Sequence, residues 1–239
     1  MPSEKHLSRV GGISAICGVF VLLVGTMLHP MDAPPNDAAA AFAEYARDRF
    51  WVATHLGQCF GVVLIAAGMI ALSWKLRGGR SGAWALLAGS TVMVSVSLAG
   101  ALQAVDGVAL KFAVDRWSVS TEIVRAAAFE TAYAVRQIEI GLASLMEMFL
   151  GLAILLYGIS LMLSAMALRW LGIFGCLAGA ATMVAGFTKA YTGFSDVAMA
   201  TSMPSSMAAL VWSICVAIYL LRTASAPTML HNQPIEPTR

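Results

Sequence analysis

Charge is what this sequence has least of. Charged residues fill 12% of its 239 positions, about half the share found in ordinary soluble domains. Hydrophobic residues fill 59%, more apolar surface than a soluble fold of this size can coat with polar groups. The net charge is only +2, with no basic tract and no interleaving of basic and aromatic residues, so nucleic acid is excluded as a partner. The cysteines Cys17, Cys59, Cys176 and Cys215 form no CxxC pair and lie in apolar stretches; they read as small buried hydrophobes. The G-x-S-x-G elbow, the P-loop and the G-x-G-x-x-G turn are all missing, and Gly78-Gly79 is only a loop pair. Period-2 alternation is missing too, which excludes a membrane barrel.

What is present is a set of long uncharged runs. Residues 10–31, 50–74, 81–105, 148–168, 170–188 and 197–221 contain no Asp, Glu, Lys or Arg, and these windows are 19 to 25 residues long. About 20 apolar residues carry an α-helix across the hydrocarbon of a bilayer. The expected fold is therefore all-α: a polytopic integral membrane bundle of six transmembrane helices with short interfacial amphipathic helices. Residues 1–9 read as a cytoplasmic tail, 10–222 as the transmembrane domain and 223–239 as a disordered tail with three prolines. The helices are expected near 10–29, 51–74, 82–107, 137–165, 170–190 and 205–222, with interfacial helical segments over 38–49 and 108–135 and a loop over 191–204. The first run follows Lys5 and Arg9 as a signal peptide would. It ends in Leu28-His29-Pro30 rather than an A-x-A site, so it reads as a retained anchor.

With both termini inside, eight Lys/Arg fall on the cytoplasmic side and seven outside. The density of basic residues in 75–80, in turns without acids, favours this orientation in a cell membrane. Trp74, Trp84 and Trp170 would then form an inner aromatic belt, and Trp51 and Trp117 an outer one. A weak repeat at an offset of 90 residues aligns 61–106 with 151–196 at 9 of 46 positions, among them Gly61 with Gly151 and Gly68 with Gly158. It predicts that hairpins 2–3 and 4–5 share one packing pattern. Gly57-xxx-Gly61 and Gly175-xxx-Gly179 are the expected sites of close helix approach.

Several stretches carry a likeness: Leu28-His29-Pro30, Ala43-Glu44-Tyr45-Ala46, His55-Leu56-Gly57-Gln58, LQAVDGVALK from Leu102 to Lys111, Ala134-Val135-Arg136 with Glu139, and Tyr191-Thr192-Gly193-Phe194. Their order resembles a family of bacterial multi-pass membrane proteins of unknown function, common in actinobacteria. The resemblance covers most of the chain except its tails. It implies a six-helix bundle in a bacterial cell membrane and no particular activity.

The polar residues of the helices are gathered at one end. Helix 1 ends in His29; helix 2 carries His55 and Gln58, and helix 3 ends with Gln103 and Asp106, each pair at i and i+3. Helix 4 opens with Arg136 and Glu139 and carries Glu147 deeper; Lys189 ends helix 5. Buried polar groups in lipid need partners. Gln58 is the first expected partner of Glu147, with Lys189 or Arg136 next. Asp106 with Lys111, and Arg136 with Glu139, are expected as local ion pairs.

The leading functional reading is a small-molecule site in the outer leaflet, binding or transporting its ligand. His55, Gln58, Gln103, Asp106, Glu139, Glu147 and Lys189 are its candidate residues, and membrane lipid is the surrounding partner. The alternative is a structural subunit whose polar groups only organise the bundle. No cofactor is indicated. A membrane enzyme using a metal or haem held by His29 and His55 is the weakest reading, because no HExxH, HxxxH or clustered carboxylate accompanies them.

Overall fold

The computed structural model describes residues 2–164 and 168–225. Its elements, in order, are α1 (Pro2–Leu28), α2 (Ala38–Arg47), α3 (Trp51–Lys75), α4 (Gly79–Gln103), a π-helical turn (Ala104–Leu110), α5 (Lys111–Ser118), α6 (Glu122–Leu163), α7 (Arg169–Thr192) and α8 (Asp196–Ser225). The described residues are helices and short connections, and six helices are long and apolar enough to cross a bilayer. The expected all-α bundle is what forms.

The element bounds correct the sequence reading in four places. Helix 1 begins at Pro2, so the expected tail is helical over 2–9; proline suits a first helical position, and Glu4 suits the positive end of the helix dipole. Glu4 also reaches Lys75 at 4.0 Å and Arg77 at 3.5 Å. Helix 4 begins at Glu122 rather than 137 and runs 42 residues, about 63 Å, or twice the hydrocarbon thickness. The loop expected over 191–204 is mostly helix. Gly193 (φ +65°) stops α7, and the Ser195 hydroxyl accepts from the Ala198 N–H at 3.2 Å to start α8. Pro204 lies inside α8, a position that membrane helices tolerate. Finally, α8 continues to Ser225, and the expected disordered tail otherwise lies outside the described residues.

Two cores hold the molecule. The larger one packs α3, α4, α6, α7 and α8 around Leu72, Ile154, Tyr157, Leu171, Trp212 and Leu220. The smaller one caps the end of the bundle where His29 sits. It joins Phe42 and Tyr45 of α2, Trp51 of α3, Leu110, Val114 and Trp117 after α4, and Ala132 of α6. Trp51 is only 1% exposed and Trp117 8%, so they are core residues and not an outer belt. Trp74, Trp84 and Trp170, at the opposite end, are exposed.

Glycines every seven residues set the tightest helix contacts. A Cβ on Gly18 of α1 would lie 2.6 Å from the Gly61 carbonyl oxygen of α3, and one on Gly151 of α6 would lie 2.6 Å from that of Gly179 in α7. Gly11 meets Gly68, and Gly172 meets Gly158, in the same antiparallel sense. The repeat of 90 residues thus relates α3 to α6, but their close partners are α1 and α7. Hairpins 2–3 and 4–5 do not share a packing pattern, because α3 spends its glycine face on α1. Gly57 faces open space, and a Cβ on Gly175 would meet the Trp212 indole at 2.7 Å and the Gly158 Cα at 3.2 Å.

Candidate functional site

The polar residues meet in three adjoining groups at the His29 end of the bundle. The first is built on Trp51, whose indole N–H donates to the Asp106 carbonyl at 3.0 Å and ties the start of α3 to the π-helical turn. A π-turn widens the helix and re-aims its side chains. Here it turns the Asp106 carboxylate toward His55, with Nε2 to Oδ2 at 3.0 Å. Gly107 makes the approach possible, since a Cβ there would lie 2.5 Å from the His55 Cβ. The other ring nitrogen of His55 donates to the Trp51 carbonyl at 2.7 Å. His29 arrives from the end of α1, its Nδ1 2.8 Å from the Pro30 carbonyl oxygen and its ring 5.1 Å from that of His55. His29, His55 and Asp106 each offer a ligand atom within 4.8 Å of the other two. The Trp51 ring lies tilted against both imidazoles, 4.4 Å from that of His55 and 4.9 Å from that of His29 between centroids. Burial and the neighbouring His55 push the His29 imidazole below its usual pKa.

The second group centres on Arg136. Its guanidinium donates to the Pro35 carbonyl at 2.7 Å and to the Tyr45 hydroxyl at 3.2 Å. It also lies 5.1 Å from the centre of the Phe194 ring. Three aromatic faces and two oxygens therefore satisfy a cation that is only 3% exposed. Burial pushes the Tyr45 phenol above its usual pKa, against the pull of Arg136. Glu139, 6% exposed, stands within electrostatic reach of Asp106, Arg136 and Lys189 and so connects all three groups.

The third group lies deepest. Lys189 of α7 donates to Glu147 Oε1, and the Ser202 hydroxyl of α8 donates to Oε2 at 3.3 Å. Gln58 is therefore not the partner of Glu147. It accepts instead from Gln103 Nε2 at 3.5 Å, because the α3 glycine face packs on α1 and carries Gln58 away from α6. Lys189, expected next after Gln58, is the partner that Glu147 takes, whereas the two expected local pairs are replaced. Lys111 binds Asp115 at 2.7 Å and the Tyr45 and Ala46 carbonyls that end α2, which leaves Asp106 to His55. Arg136 turns to Tyr45 and Pro35 rather than to Glu139.

Among the described residues, Asp48 Oδ2, Thr54 Oγ1, Gln103 Oε1 and Glu139 Oε2 are buried without a hydrogen-bond partner. All four belong to the His29 end. An apolar groove of about 360 Å³ runs beside them between α1 and α3, lined by Phe20, Val24, Leu28, Phe50, Thr54 and Gly57; none of the seven candidate site residues lines it. Sequence reasoning missed Tyr45, Trp51 and Ser202 as site residues. Tyr45 and Phe42 at helical spacing were the available signal for the cap. Ser202 had none, lying where Pro204 argued for a loop.

No family model matches this sequence, and neither the curated proteins nor the solved structures yield a match. The geometry alone has to carry the function.

Proposed function

We propose that this is a multi-pass protein of a bacterial cell membrane, both termini cytoplasmic, that binds a small polar molecule in the outer half of its bundle. One observation carries the reading: four buried oxygens without partners are gathered at the end where the polar groups converge. Buried polar atoms in native proteins are nearly always paired, and each orphan costs about 1–3 kcal/mol. Asp48 and Gln103 present acceptors and the Glu139 carboxyl a further buried oxygen, so the complementary ligand is rich in hydrogen-bond donors. Glu139 is the central residue, since it stands between the other groups. The bacterial membrane is inferred from the family resemblance, and the orientation from the basic turns.

Native mass spectrometry of the detergent-purified full chain tests this. The natural protein should carry a small adduct, and Glu139→Gln should lose it while remaining monodisperse. A bare natural protein, or an adduct equally retained by Glu139→Gln, removes the reading.

A structural role is the better reading for one part of the network. Glu147, Lys189 and Ser202 satisfy one another across α6, α7 and α8, so this triad fixes helix register and needs no ligand.

A further inference from the structure

We propose that His29, His55 and Asp106 bind one divalent transition-metal ion, of the zinc or ferrous class that two imidazoles and a carboxylate suit. The proposal goes beyond the small-molecule reading and uses none of the orphaned oxygens behind it, so either can fail alone.

The ring orientations are the main argument. Each histidine places Nδ1 against a backbone carbonyl, at 2.8 Å for His29 on Pro30 and 2.7 Å for His55 on Trp51. A carbonyl only accepts, so each Nδ1 carries its hydrogen and each Nε2 is the nitrogen free to coordinate. Metal-binding histidines are commonly held in this way, with the second ring nitrogen donating to a carbonyl or carboxylate.

At His55 the consequence is sharp. Its Nε2 faces the Asp106 carboxylate at 3.0 Å. With a neutral ring, two lone pairs would point at each other across that gap. A positive species has to lie between them, either a proton or a metal ion. His29 decides in favour of the metal. A proton shared by His55 and Asp106 needs no second imidazole, whereas an ion needs a third ligand, and His29 supplies one within 4.8 Å of the other two.

The spacing fits. A tetrahedral ion with bonds of about 2.1 Å sets its ligand atoms about 3.4 Å apart. The His55–Asp106 pair is already near that separation. His29 lies just beyond α1, where a small side-chain rotation can close the remainder. Three protein ligands leave a coordination position open, the pattern of exchangeable or catalytic sites rather than closed structural ones.

The test uses the full chain with its affinity tag removed, purified in detergent, stripped with EDTA and re-equilibrated with zinc alone. Elemental analysis after gel filtration should give one zinc per chain. His29→Gln and Asp106→Asn should each weaken binding at least as much as loss of an outer-shell partner, about 10–100-fold. His6→Gln and His231→Gln, which change the remaining histidines, should bind as the natural protein does. Cobalt in place of zinc should give visible d–d bands that vanish in the two ligand variants. Absence of stoichiometric zinc from the natural protein overturns the proposal, as does full retention of zinc by His29→Gln. If Asp106→Asn does not fold, His29→Gln decides alone, since its side chain lies outside the spanning helices.

Discussion

Lys189→Met is the most informative perturbation of the bundle. It removes a buried cation from beside Glu147, where the two side chains are 8% and 9% exposed. Glu147 would keep only the Ser202 hydroxyl, at 3.3 Å. Removing one partner of a buried pair costs about 3–5 kcal/mol. Placing an ionised acid mid-helix in a bilayer costs about 2.5–3.5 kcal/mol on insertion scales. The expected destabilisation is therefore about 3 kcal/mol, roughly a 150-fold change in the unfolding equilibrium. Apolar replacement of both partners should recover most of this, so Glu147→Leu combined with Lys189→Met should approach the natural stability. The assay is reversible unfolding by dodecyl sulfate in mixed micelles, followed by circular dichroism, for the natural protein, both single variants and the double variant. The reasoning is refuted if Lys189→Met falls within about 0.5 kcal/mol of the natural protein, or if the double variant is no more stable than Lys189→Met.

Three further predictions use other contacts. Gly151→Val would set a Cβ 2.6 Å from the Gly179 oxygen and should cost about 1–3 kcal/mol or more in the same assay, whereas Gly57→Ala, facing open space, should be neutral or gain about 0.5–1 kcal/mol. Tyr157→Phe removes the hydroxyl that donates to the Met69 carbonyl at 2.8 Å and contacts Ser73 at 2.7 Å; the expected loss in Tm corresponds to about 1 kcal/mol. Arg136→Ala unties Pro35 and Tyr45 from α6, so limited proteolysis should cut the segment between α1 and α2 faster while the spanning helices stay protected.

The existence of the helices was legible because each spanning segment is marked by a run without charge. Their ends were not, because caps act locally. Pro2 and Glu4 make a good helix start, yet charge near residues 4–9 looked like a tail. Pro204 looked like a loop although bundle packing keeps α8 continuous. The gathering of polar residues at one end was also legible, since helix direction alternates along the chain. Their pairing was legible only in part, with Lys189 standing second for Glu147. Gln58 was matched to Glu147 by depth, but pairing also depends on rotation, and rotation is set by which glycine faces meet. The repeat marked α3 and α6 as equivalent and paired each with the helix that follows it, which holds for α6 with α7 but not for α3, whose glycine face meets α1. The carboxylate that joins His29 and His55 was hidden for another reason. Asp106 reaches them through a π-turn, and a regular α-helical projection of 82–107 aims it elsewhere.

The opposite end of the bundle explains why the polar end is better read as a one-sided site than as part of a pathway. Buried polar groups there finish on backbone carbonyls: Ser160 on Ser81 at 2.9 Å, Ser81 on Leu76 at 3.1 Å, and Trp212 on Leu171 at 3.0 Å. These are neutral ties that fix helix against helix and leave nothing to exchange. Among the charges of that end, Glu4 pairs with Lys75 and Arg77 across the ends of α1 and α3. From Glu147 to the end of α6 at Leu163, the helix rises about 24 Å through a run without Asp, Glu, Lys or Arg. A cation leaving the Glu147–Lys189 pair in that direction would meet hydroxyls already bound to carbonyls and the tightest glycine seams of the fold. Separating those seams would cost contacts along two helices at once, whereas the His29 end is closed by the short α2 resting on α5 and the start of α6. Opening α2 is the easier route in and out, so a ligand or metal bound as proposed would enter and leave from the same side.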